Sequence, residues 1–148
     1  MPVADPLSTA KIVALSIRQP YADHVVFGDK RIENRTWKTS YRGPLFIHAS
    51  SSYSPEDEDY LPHLRKGARE RSAFVGLVTL ADIFIRYEDI PEQARHPDFV
   101  EEPENGDPVL YFWHLINPVP FKKPFACKGK LNLWTPPPDV AAQLARYL

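Results

Sequence analysis

Two almost uninterrupted apolar runs, residues 74–84 and 109–116, limit the possible folds of this chain more than any other feature. Both fall well short of the ~18 apolar residues of a membrane span. Neither alternates cleanly with polar residues, so both are predicted to be central strands buried on two sides. Gly76 stands inside the first run.

Around these runs the pattern is mixed. Residues 12–17 form a third apolar run and predict a buried strand. Pro20 suits a helix start, because its missing N–H would lack a partner in the first turn anyway; Tyr21, Ala22, Val25 and Val26 then follow at helical spacing up to a Gly28 cap. Residues 30–37 extend again, with Arg31, Glu33, Arg35 and Trp37 on one face and Lys30, Ile32, Asn34 and Thr36 on the other. Residues 45–49 predict a strand with Leu45, Ile47 and Ala49 on one side and Phe46 and His48 on the other, broken by residues 50–54. A helix is expected from Pro55, acidic at its start from Glu56 to Asp59, basic at its end through Arg65, Lys66, Arg69 and Arg71, and kinked or divided at Pro62. Residues 87–108 read as an exposed acidic loop with one helical turn, and its 22 residues exceed the usual loop length. The tail passes Pro118, Pro120 and a lysine-rich loop to a short strand at 131–134, and prolines 136–138 open a last helix.

Residues 1–10 read as a disordered segment and residues 11–148 as a single domain. With 16 prolines and five to six strands, an α+β, mainly β fold built as a small mixed barrel with flanking helices fits better than a doubly wound sheet. A lone cysteine, Cys127, excludes an intrachain disulfide and a thiolate zinc site, and with no targeting signal it points to a cytoplasmic protein. The five histidines are isolated, so no metal and no cofactor is expected. His48 reads as a hydrogen-bonded core or cleft residue. Cys127 reads as an inert small residue, against the alternative that neighbouring lysines lower its pKa.

The net charge of -1 conceals a sorted distribution. Residues 11–50 hold seven Lys or Arg against three acids, and residues 121–134 hold four lysines and no acid. Residues 86–108 hold eight acids against two arginines. If the basic stretches meet, they form a positive face that steers phosphate-bearing ligands. The segment from Gly28 to Arg35 has the form G-x-K-x-x-E-x-R, in which Glu33 and Arg35 share a strand face and Lys30 at the turn can swing to either. A carboxylate flanked by two cations stays ionised, and such a group can anchor a phosphate or carbonyl.

The run Leu15-Ser16-Ile17-Arg18-Gln19-Pro20-Tyr21-Ala22, the G-x-K-x-x-E-x-R segment, Trp37, Arg42-Gly43-Pro44 and Ile47-His48-Ala49-Ser50 together resemble the ASCH domain. The resemblance continues through Gly76-Leu77-Val78, Asp82, Lys128-Gly129-Lys130-Leu131 and Leu133-Trp134. It is nearest to the branch containing the carboxy-terminal domain of activating signal cointegrator 1. It implies a PUA-like barrel with a cleft beside the first helix and RNA or DNA, or a nucleotide, as ligand. Ser16, Arg18, Gln19, Lys30, Arg35, Trp37, Tyr41, Arg42 and Lys128 are then the candidate nucleic-acid contacts, with Trp37, Tyr41 and Trp134 as possible stacking faces.

Some ASCH relatives are amidohydrolases of acetylated cytidine, in which the motif lysine works beside a threonine three residues on; others are described as ribonucleases. Lys30 matches that lysine, with Glu33 and Tyr21 as its candidate catalytic partners, but Glu33 stands in the threonine position and has no hydroxyl. The sequence therefore favours binding, with modified bases included, over hydrolysis. A protein-interaction role for the acidic loop is a third reading. No membrane contact is expected, and a monomer is the favoured state.

Overall fold

The computed structural model describes residues 11–53, 55–56 and 70–148. The segment 1–10 and most of the helix expected from Pro55, including Pro62, Arg65, Lys66 and Arg69, lie outside the described residues. Six strands form one sheet: β1 (Ala14–Gln19), β2 (Ile32–Arg35), β3 (Gly43–Tyr53), β4 (Ala73–Phe84), β5 (Tyr111–Ala126) and β6 (Leu133–Trp134). Helix α1 (Tyr21–Phe27) follows β1, and α2 (Pro138–Leu144) follows β6.

The sheet order is β2-β5-β4-β3-β1-β6. Among the described residues only the β1–β3 pair is parallel; the other four ladders are antiparallel. The two apolar runs are β4 and the first part of β5, each flanked by strands on both sides. Register shifts interrupt the ladders at Ile17/Gln19, Ile47/His48, Phe74/Gly76, Leu77/Thr79 and Leu80/Asp82. Such bulges bend strands, and the sheet curls into a half-barrel.

Both faces are covered. On one, Leu15, Ile17, Leu45, Ile47, Val78, Trp113 and Leu115 pack against Ala22, Val25 and Val26 of α1. On the other, Ala14, Phe46, Phe74, Phe121 and Trp134 pack against Leu144 and Ala145. The alternation expected for residues 45–49 is realised. Burying each large aliphatic side chain contributes roughly 1.5–3 kcal/mol. Gly76 lets α1 press onto β4, because a Cβ there would lie 2.6 Å from Val26 Cγ1 and 2.8 Å from the Val119 carbonyl oxygen.

Three expectations are corrected. β3 does not break at residue 50 but runs to Tyr53, since Gln19 pairs with Tyr53 beyond the bulge. β5 continues through Pro118, Pro120 and Lys122 as a 16-residue strand. Among the described residues β2 covers only its Tyr111–His114 stretch, which leaves the rest one open edge, where a missing proline N–H need not break a ladder. Residues 87–108 hold two short 3₁₀ turns rather than one helical turn. They are also not simply exposed: Ile90, Ala94 and Val100 form a small core with Ile32 and Phe112. Gly28 does cap α1, but with φ -120°, so the left-handed geometry of a typical glycine cap is not used. Among the described residues, no helix is long and apolar enough to cross a membrane.

Candidate nucleic-acid interface

The parallel register of β1 and β3 sets Ser16 beside His48. Ser16 Oγ lies 3.0 Å from His48 Nδ1, and His48 Nε2 lies 2.7 Å from the Cys127 carbonyl oxygen. A carbonyl only accepts, which assigns the ring proton to Nε2 and leaves Nδ1 to accept from the Ser16 hydroxyl. The Trp134 indole N–H donates to the same Ser16 oxygen at 3.2 Å. Burial lowers the His48 pKa, partly offset by the bond to Cys127. Both the burial and the bonding pattern favour the neutral ring.

A second group gathers at the end of α1. Lys30 is 3% exposed, and its ammonium donates to the Ile32 carbonyl at 2.5 Å and lies 3.4 Å from Glu33 Oε1. The rings of Tyr21 and Phe99 stand 5.5 and 5.3 Å from the same nitrogen, within cation–π range. Burial lowers the Lys30 pKa, and the Glu33 carboxylate pulls it back up. Glu33 Oε2 accepts from Arg35 Nε at 2.9 Å and Nη2 at 2.7 Å. Arg35 Nη2 also donates to the Ser16 carbonyl at 2.9 Å. One continuous set of contacts thus runs from Lys30 through Glu33, Arg35 and Ser16 to His48 and Cys127.

Arg31 departs from the expected face. It precedes β2, and its guanidinium turns to the carbonyls of Val25, Gly28 and Leu115, tying the end of α1 to β5. Lys30, at the turn before β2 and able to swing to either face, joins Glu33.

These groups border a cleft of about 1200 Å³. Ser16, Arg18, Tyr21, Lys30, Glu33, Arg35 and Trp37 line it from the first third of the chain, and Lys128, Gly129, Lys130 and Leu131 from the loop before β6. The two basic stretches therefore do meet. A third part of the lining is acidic, with Asp98, Glu101, Glu102 and Asp107 beside Phe99. The profile of the ASCH domain matches residues 15–125, three-quarters of the chain.

The chain belongs to the ASCH domain family.

Activating signal cointegrator 1 of Mus musculus is 28% identical over 131 residues, covering 81% of this chain and 21% of that protein; the Homo sapiens protein is 29% identical over the same shares. The chain thus spans about a fifth of the length of these curated relatives. Among solved structures, ASCH from Zymomonas mobilis superposes with a TM-score of 0.57 at 13% identity, covering 93% of this chain and 94% of that one. A point mutant of the Zymomonas protein gives a TM-score of 0.58 at the same identity, covering 93% and 96%. That likeness establishes the PUA-like fold.

Within this ASCH domain, not every sequence candidate reaches the cleft. Gln19 is fully buried, donating to Asp23 Oδ1 at 3.0 Å and to the Glu70 carbonyl at 2.9 Å, and accepting from the Asp23 N–H. It braces the turn into α1. Tyr41 borders a smaller cavity with Val13 and Leu133, and Arg42 sits 3.5 Å from Asp82; neither lines the main cleft. Trp134 lies under Ser16 with His48 and Phe74 against its ring, leaving Trp37 as the one lining residue of the three expected stacking faces. Cys127 has its pKa raised by burial and by Asp139, against the alternative of an activated thiol.

Asn34 and Phe99 also belong to the site. Asn34 Nδ2 donates to the Phe99 carbonyl at 2.8 Å, holding that ring over Lys30. The two residues are 65 positions apart, so no local pattern announces the contact.

Proposed function

We propose that this ASCH domain binds nucleic acid, RNA foremost and DNA as the alternative polymer, with one base, modified bases included, taken into the cleft. The observation that carries the reading is the convergence of Arg18, Arg35, Lys128 and Lys130 on one cleft that also presents Tyr21 and Trp37. Cations hold phosphates, and an aromatic face beside them takes a base at ~1–3 kcal/mol per stack. Membership of a family associated with RNA binding supports it. Ser16 and Lys30 supply polar contacts at the cleft floor, and Gln19 supports the turn beneath.

The test is affinity for single-stranded RNA, hairpin RNA and DNA at two salt concentrations. Neutralising three or four phosphates gives a slope of log K against log salt of about -2 to -3 for single strands. Absence of binding at low salt sinks the reading.

Lys30 also supports a second reading, ribonuclease or amidohydrolase chemistry on a modified nucleoside. An ammonium drawn below its usual pKa beside Tyr21 in a cleft suits general acid–base work. Turnover of RNA or acetylated nucleoside that disappears in Lys30→Met supports it; no turnover, or turnover the substitution leaves intact, removes Lys30 catalysis.

A further inference from the structure

Leu131 is 88% exposed, the most exposed large hydrophobic side chain among the described residues. A single exposed leucine ordinarily means nothing. This one stands on the rim of the cleft, next to Lys130 and three residues from Lys128, both exposed and both part of the same lining.

The loop that carries it is fixed at both ends. The Cys127 N–H donates to the Ser72 carbonyl at 2.9 Å, and the Cys127 carbonyl accepts from His48 at 2.7 Å. Gly129 lies so close to the Ser16–His48 pair that a Cβ there would come within 2.5 Å of His48 Cε1 and 2.9 Å of Ser16 Oγ. Beyond Leu131, Asn132 turns the chain with φ 60°, and Leu133 pairs with Leu15. The apolar side chain is therefore presented to solvent by a braced turn, directly after two exposed lysines of the cleft lining.

From this geometry, and resting on the nucleic-acid reading above, we infer that Leu131 is a wedge for base-paired nucleic acid. When one base leaves a stem to enter the cleft, Leu131 fills the space left in the stack. Apolar side chains do this where proteins unstack base steps, and extrusion of a base from a duplex creates such a space. An unpaired strand has no comparable gap to fill. The preferred partner is thus a stem with an extrudable base, and Leu131 contributes to that form alone.

The test uses the whole chain with two RNA probes of equal length, a hairpin carrying 2-aminopurine in its stem and an unstructured single strand carrying the same base. Leu131→Ala should weaken hairpin binding about tenfold, equivalent to ~1.4 kcal/mol. It should also suppress the 2-aminopurine fluorescence rise of the hairpin, while single-strand affinity stays within about twofold. Leu131→Phe should retain hairpin binding. Equal losses on both probes, or no loss on either, overturn the wedge while leaving the binding reading intact. Wild-type protein that binds neither probe at low salt overturns both.

Discussion

Glu33 is only 8% exposed, yet it faces two cations, with Lys30 near one oxygen and Arg35 on the other. Removing one partner of a buried ion pair costs more than replacing the pair, because the remaining charge is left desolvated. Glu33→Gln strands both cations, so it should destabilise the fold by about 3 kcal/mol in urea titration. Lys30→Met, which leaves Glu33 its bonds to Arg35, should cost less than half as much. A Lys30→Met cost equal to that of Glu33→Gln would show that the three groups do not act in this way. The Glu33–Arg35 pairing was legible because alternation along a strand places i and i+2 on one side. Lys30 and Arg31 were not resolved by that rule, because β2 begins only at Ile32 and alternation has no hold before it. Gln19, read as a ligand contact, is spent on Asp23 and the Glu70 carbonyl, partners that a strand pattern does not reveal.

β3 and the 127–131 loop are joined through His48, whose ring bridges Ser16 and Cys127. Its folded pKa is lowered by burial, so below the ordinary histidine value the unfolded chain takes up a proton that the folded chain refuses. Stability linked to His48 is thus fully present above about pH 6.5 and is lost as the pH falls below it. His114 on β5 is lowered too, by burial and then by Arg31, and adds to the same trend. The melting temperature should therefore fall between pH 7 and pH 5, and His48→Gln should flatten part of that slope while His114 keeps the rest. Parallel pH curves for the two proteins would disprove the His48 linkage. The strand carrying His48 was visible from residues 45–49, but its length was not. Ser50–Ser52 look like a break in isolation, and only pairing across the sheet makes them strand. The prolines of β5 mislead in the same way, since an open edge is a property of the assembled sheet.

For the whole molecule, charge sorting along the chain set the meeting of the two basic stretches only as a condition, and it is the pairing of β6 with β1 that brings the lysine loop to the cleft. Charge sorting did not anticipate that the acidic stretch would border the same cleft. Phe99, Val100 and their neighbours, read as exposed loop, anchor that stretch against β2 and β5. Basic and acidic linings therefore share one field, so that on the proposed reading Glu101 and Glu102 would oppose the approach of a polyanion to Arg18, Lys128 and Lys130. Both glutamates are exposed, so Glu101→Gln with Glu102→Gln should change stability by no more than about 0.5 kcal/mol. RNA affinity should rise severalfold near ~0.01 M salt, where charges act over ~30 Å, and the gain should shrink at ~0.15 M, where that reach is ~8 Å. Titration of wild type and double variant at both salts separates the possibilities. A gain that salt does not diminish would mean a local contact rather than a shared field, and no gain at low salt would mean that the acidic lining does not face the path of the phosphates.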